Sequence, residues 1–159
     1  MASFGFKFTY GDDDPIIFDY KGRKLKFIGA ENNGAIGNVF VQRELDTLDV
    51  NGQVVIDIGA NFGDSVIYFV LKGAERVIAI EPFPYTFELL NKNLSINRAL
   101  KKITTVNCAL GEKTATIRVS PLLQISVGTI ANNVPDGVLI DVFRVSNYSS
   151  NDDIHYFSL

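Results

Sequence analysis

The segment from Val54 to Ser65 constrains this chain more than any other. Val54-Val55-Ile56-Asp57-Ile58 is a β-branched run of the kind that forms a strand buried on both faces. It leads directly into Gly59-Ala60-Asn61-Phe62-Gly63, after which Asp64–Lys72 reads as a helix that is apolar almost all round. Gly73 stands where a glycine would end that helix, and Lys72 suits the negative end of its dipole. Val77-Ile78-Ala79-Ile80 is a second short apolar strand, closing at Glu81-Pro82. Tyr85–Asn97 follows with Phe87, Leu90 and Leu94 on one helical face, and Ile103–Val106 is a third strand. Strands separated by helices of this length pair in parallel through right-handed crossovers. The predicted fold class is therefore α/β, a doubly wound and mainly parallel sheet.

The flanks read differently. Residues 1–50 are predicted to be a β-rich lead-in, and residues 51–159 a ligand-binding domain. In the lead-in, Ile16, Phe18 and Tyr20 alternate, as do Leu25 and Phe27, around a Lys21-Gly22 step. That pattern predicts a hairpin with one wet face. Val41–Leu48 is expected to be a short helix ended by Asn51-Gly52. Beyond residue 112, Ala115, Ile117 and Val119 alternate with polar neighbours, so C-terminal antiparallel strands are expected there. Ile125–Ile130 and Val138–Val145 are two more candidate strands, and the Ser/Asn/Asp-rich tail Ser146–Leu159 has no helical period.

At 159 residues the length suits one domain able to own a core. A formal charge of −3 argues against sequence-independent DNA binding, and a lone Cys and a lone His exclude a disulfide framework or a Cys/His metal cluster. The longest apolar run, Val66–Leu71, is far short of the roughly 20 residues that span a bilayer. With no h-region near the N-terminus, a cytoplasmic protein is expected.

The turn after the first parallel strand is the candidate site. In a doubly wound sheet, ligands bind outside the carboxyl ends of the strands, at the point where strand order reverses. Glycines there let backbone approach a ligand closely. Glu81 lies 18 residues beyond Gly63, at the end of the next strand, where a carboxylate can accept both hydroxyls of a ribose. Dinucleotide sites use three glycines and rest a pyrophosphate on the helix N-terminus. Here Asn61 replaces the middle glycine, and Asp57 and Asp64 bracket the turn. Two carboxylates repel a pyrophosphate and welcome a cation. S-adenosylmethionine carries an ammonium, a sulfonium and a ribose, and electrostatics favours it over NAD.

Val54–Ser65, with Tyr68-Phe69, Gly73-Ala74, Glu81-Pro82 and Asn93, resembles the class I S-adenosylmethionine-dependent methyltransferases, and most closely their FkbM-type group. The resemblance covers about residues 38–145 and implies a Rossmann-like sheet. It implies that Asp57, Gly59, Ala60, Asn61 and Gly63 form the methionine-side loop. Glu81 would hold the ribose, and Pro82 and Phe83 would lie beside the adenine. The turn after the third strand, Asn107-Cys108-Ala109-Leu110, would touch the adenine edge, chiefly through Cys108 and Ala109; relatives often place an Asp where this chain has Ala109.

An acidic K-x-D-x-E-G type motif that the group carries near the acceptor has no counterpart here. Asp153–Leu159 sits where the strand bearing it would begin, so the resemblance implies a truncated sheet with no assignable catalytic base. Methyl transfer from a sulfonium needs mainly position, alignment and exclusion of water, so the missing Ser/His/Asp set does not count against it.

The expected activity is methyl transfer to a hydroxyl or other nucleophile of a small-molecule or sugar acceptor. Two other readings stand beside it. One is a non-catalytic adenosyl- or nucleotide-binding module that pairs with a partner chain or a second copy through an open edge at the first parallel strand. The other is an RNA methyltransferase, for which Lys21, Arg23, Lys24 and Lys26 are a small basic patch, although a solvated hairpin face explains them as well.

Overall fold

Three of the apolar runs lie side by side because each is too short and too apolar to face water alone. In the computed structural model, which describes residues 15–29, 34–119, 137–144 and 154–158, they form the middle and one flank of a four-stranded parallel sheet. Strand β3 (Val54–Ile58) pairs with β4 (Arg76–Ile80), and β4 with β5 (Ile103–Val106). Helix α1 (Asp64–Leu71) joins the first pair and α2 (Pro84–Ile96) the second. Val66, Tyr68 and Phe69 on α1 are fully buried, as expected of a helix apolar on all sides.

The strand order corrects one expectation. Strand β3 is not an edge, because β9 (Ile154–Ser158) pairs with it in parallel on the side away from β4. The order β5-β4-β3-β9 means that the chain winds outward from β3 in one direction and then returns to its other side. The reversal falls at β3, which makes the carboxyl end of that strand the topological switch point.

Hairpin β1 (Ile16–Tyr20) and β2 (Arg23–Phe27) forms as the alternation predicts. Phe18, Tyr20, Leu25 and Phe27 face inward, and the three rings among them join one aromatic cluster with Phe40, Phe62 and Tyr68. The helix expected at Val41–Leu48 lies earlier. Ala35-Ile36 are helical, Gly37–Gln42 is a π-helical turn, and Arg43 ends it in the left-handed region at φ 58°. Packing explains the shift: Val39 and Phe40 are drawn into the aromatic cluster, which leaves Val41 exposed. Lys72 does more than sit near a dipole. Its ammonium donates to the carbonyls of Leu45 (3.2 Å), Asp46 (2.8 Å) and Leu48 (2.6 Å) and so pins the loop that follows the π-turn.

A second, three-stranded sheet has β8 (Val138–Arg144) at its centre. It pairs antiparallel with β7 (Ala115–Val119), as the alternation predicts, and parallel with the short β6 (Ala109–Gly111), which periodicity does not reveal. The strand expected at Ile125–Ile130 lies outside the described residues. Among the described residues, no helix is long and apolar enough to cross a membrane.

Candidate functional site

The site is assembled at the carboxyl ends of β3, β4 and β5. The chain leaves β3 through Gly59 and Ala60, whose amides both donate to the Ile80 carbonyl, at 2.8 and 2.9 Å. The turn is thereby stitched to the end of β4. Gly59, Asn61 and Gly63 all have positive φ, at 83°, 46° and 94°. At Gly63 a side chain meets two obstacles. The backbone is left-handed, and an added Cβ would come within 2.7 Å of Leu90 Cδ1 on α2.

Asp57 is fully buried at the end of β3. Its Oδ2 accepts the Ser65 hydroxyl at 2.7 Å, while Oδ1 has no hydrogen-bond partner among the described residues. Asp64 begins α1, is also buried, and leaves its Oδ2 without a partner. Burial pushes the Asp57 carboxyl up to about 6, against the bond from Ser65. The same cause pushes Asp64 up to about 7; neighbouring Asp57 and Glu44 add to the rise, and the amides of Asp64 and Ser65 oppose it.

Glu81 stands at the end of β4 with both carboxylate oxygens engaged. Oε2 accepts the Asn61 amide at 2.9 Å and Oε1 the Phe83 amide at 2.9 Å. Burial raises its pKa, the two amides lower it, and Asp57 raises it further. The carboxylate thus ties the turn after β3 to the loop after β4, and each oxygen keeps a second lone pair.

Asn107 completes the link to β5, because its Nδ2 donates to the carbonyls of Glu81 (2.8 Å) and Pro82 (3.1 Å). Pro82 and Phe83 are half-buried beside it, and Phe83 packs against the small cluster of Ala109, Val119 and Ile140 in the second sheet. Cys108 and Ala109 are both buried, and burial raises the thiol pKa.

Nine of the ten residues expected at the site therefore fall on the three strand ends or the turns that leave them, and the tenth, Ala109, directly follows the last of those turns. Asn61 and Phe83 are joined through the Glu81 carboxylate, and Asp57 is held separately by Ser65. Cys108 lies in the turn that leaves β5, and Ala109 opens β6 of the second sheet. Three contributors were not among the ten. Ser65 fixes Asp57, Asn107 fixes Glu81 and Pro82, and Asn93 of α2 donates to the Phe62 carbonyl at 2.9 Å. Ser65 and Asn107 stand close to the motif in sequence, whereas the partner of Asn93 lies 31 residues away. Among the described residues no group of three or more His, Cys, Asp or Glu side chains is placed to hold a metal.

Buried acids beside a glycine turn at a switch point suit a ligand with a cationic group. The orphaned oxygens of Asp57 and Asp64 need a donor or a positive charge to offset their desolvation.

The profile of the Methyltransferase FkbM domain family matches residues 57–142, just over half of the chain. The methyltransferase sdnD of Sordaria araneosa is 31% identical over 64 residues, covering 40% of this chain and 25% of that protein. The tRNA(Phe) (4-demethylwyosine(37)-C(7)) aminocarboxypropyltransferase of Pyrococcus horikoshii is 26% identical over 102 residues, 64% of this chain and 37% of that one. Among solved structures, the methyltransferase FkbM of Methylobacillus flagellatus superposes with a TM-score of 0.44 at 22% identity. That alignment covers 67% of this chain and 25% of that one. The chain thus spans between a quarter and two-fifths of the length of these relatives.

Proposed function

The chain belongs to the FkbM methyltransferase domain family, and from that premise we propose that it holds S-adenosylmethionine at the turn after β3 and serves methyl transfer to a small-molecule or sugar acceptor. One observation carries the reading: two buried carboxylate oxygens without partners among the described residues flank a glycine turn at the topological switch point. A pyrophosphate would meet those acids as repulsion, and an ammonium or sulfonium would meet them as compensation.

In this reading Asp57, Gly59, Ala60, Asn61 and Gly63 bind the methionine end, with Asp64 adding negative potential. Glu81 accepts ribose hydroxyls on its remaining lone pairs, already oriented by the Asn61 and Phe83 amides. Pro82 and Phe83 flank the adenine on one side, and Cys108 and Ala109 meet its edge. The cofactor supplies a methyl group on a sulfonium, transferred by in-line displacement. The chain's own contribution is to orient that group and keep water away from it. A cytoplasmic setting belongs to the same proposal.

The rival binding-module reading drew support from an exposed first strand, and β9 occupies that edge. Pairing through β9 or β5 is left to it. Equilibrium dialysis with tritiated S-adenosylmethionine tests the proposal. Retention that S-adenosylhomocysteine displaces and NADH does not is the expected result. Retention displaced equally by NADH would overturn the choice of cofactor.

A further inference from the structure

Asn93 of helix α2 and Asn97 at its C-cap stand one turn apart, and both reach the same strand. Asn97 Oδ1 accepts the Lys26 amide at 3.0 Å, and its Nδ2 donates to the Lys26 carbonyl at 2.7 Å and to the Asn93 carbonyl at 2.8 Å. Asn93 Oδ1 accepts the Ile28 amide at 2.8 Å, and its Nδ2 donates to the Ile28 carbonyl at 3.1 Å. Lys26 and Ile28 are alternate residues, so their outward amide and carbonyl groups face the side of β2 away from β1. Two strand residues advance about 6.7 Å and four helical residues about 6 Å. The spacings match closely enough for two side-chain amides to stand in for a third strand.

Asn93 differs from Asn97 in where its second Nδ2 hydrogen goes. It reaches the Phe62 carbonyl at 2.9 Å, inside the turn after β3. The same peptide unit is held at its other end, because the Gly63 amide donates to Ala60 O at 2.9 Å. With both ends held, the plane of the Phe62–Gly63 peptide is fixed, and with it the left-handed Gly63 that starts α1. The Phe62 ring adds a second tie to the hairpin, edge-on to Phe27 at 6.1 Å.

We propose that Asn93 is a positioning residue of the cofactor turn, coupling its Phe62–Gly63 peptide to the Ile28 backbone of the hairpin. This rests on the reading that the turn holds S-adenosylmethionine. Asn93 touches no ligand; it acts through Phe62. A ligand that orders the turn therefore also tightens the Ile28 amide, more than 30 residues away in sequence. Asn97 is the internal control, since it docks the same hairpin without touching the turn.

The experiment compares the full chain with Asn93→Asp, Asn93→Ala and Asn97→Ala. S-adenosylhomocysteine affinity is read by calorimetry and Ile28 amide exchange by NMR, each below the measured melting temperature. Asn93→Asp keeps the acceptor for the Ile28 amide and removes the donors, so it perturbs packing least. In the parent, ligand should slow Ile28 exchange by about tenfold, the equivalent of one strengthened hydrogen bond. Asn97→Ala should preserve that response and bind within about twofold of the parent. The Asn93 variants should lose the response and bind about tenfold more weakly. A folded Asn93 variant with parental affinity, or a parent whose Ile28 amide ignores the ligand, overturns the role of Asn93. The second criterion decides even where neither Asn93 variant folds. A parent that binds no S-adenosylhomocysteine overturns the cofactor reading itself, which separates the two failures.

Discussion

Helix α2 and the turn after β3 both bury polar side chains, and they do so on different terms. Where α2 meets the hairpin, Asn93 is fully buried, and its amide makes three bonds to backbone groups at 2.8–3.1 Å. At the turn, Asp57 and Asp64 are just as buried, yet each leaves an oxygen without a partner among the described residues. The first arrangement is complete in the protein alone. The second is complete only with something positive or donating beside it. Burial by itself does not separate a structural polar group from a functional one; the unfilled valence does.

Removing the buried amide and removing a buried acid should therefore have opposite signs. The largest effect is expected at the joint. Asn93→Leu leaves the Ile28 amide, the Ile28 carbonyl and the Phe62 carbonyl bare, which should cost about 4 kcal/mol in chemical denaturation. A cost near zero would place the joint and the turn on the same footing and break the contrast.

Next comes Asp64→Asn, which should stabilise the ligand-free protein by about 2 kcal/mol at pH 8, because no buried charge then has to be sustained. The pH dependence follows from the direction of the shifts. Asp57 and Asp64 hold protons in the fold up to about pH 6 and 7, whereas the unfolded chain releases them nearer pH 4. Their stabilising proton uptake is present in full below about pH 4 and is lost as pH rises through 6 to 7. Urea midpoints of parent and Asp64→Asn should thus converge near pH 4 and separate toward pH 8. Parallel curves would contradict the assignment. Ligand binding should release protons over the same range, detectable as a calorimetric heat that varies with buffer.

The smallest effect is expected at Ser65→Ala. Loss of the 2.7 Å bond to Asp57 should cost about 1 kcal/mol at pH 8 and less at pH 5, where Asp57 is protonated. An equal cost at both pH values would show that Ser65 supports packing and not the carboxylate.

Legibility in sequence followed the range of the interactions. The run from Val54 to Val106 was readable because each element is set by its own periodicity, the turns on either side of α1 by their glycines and the start of α2 by Pro82 and Pro84. The ten site residues came from that same stretch and its edge, and the structure brings them to neighbouring strand ends. The π-helical turn at Gly37–Gln42 was misplaced because Val41 looks like core in a linear reading. The aromatic cluster decides instead which residues point inward. The place of β9 beside β3 is set by a pairing about 100 residues apart, and its flanks of Ser, Asn and Asp hide it. The sequence around Asn93 and Asn97 does not show what they bond. Their partners, 65 and 71 residues away, are set only when α2 lies along the hairpin.

The central claim is that the acids at the turn are incomplete without a cationic adenosyl ligand. Titration of the full chain with S-adenosylhomocysteine at pH 8, repeated on Asp57→Ala and Glu81→Ala, tests it most directly. Binding by the parent, weakened on the order of a hundredfold by Asp57→Ala and about tenfold by Glu81→Ala, is predicted from the loss of charged hydrogen bonds. Parental binding that survives both substitutions unchanged would place the ligand elsewhere and contradict the account.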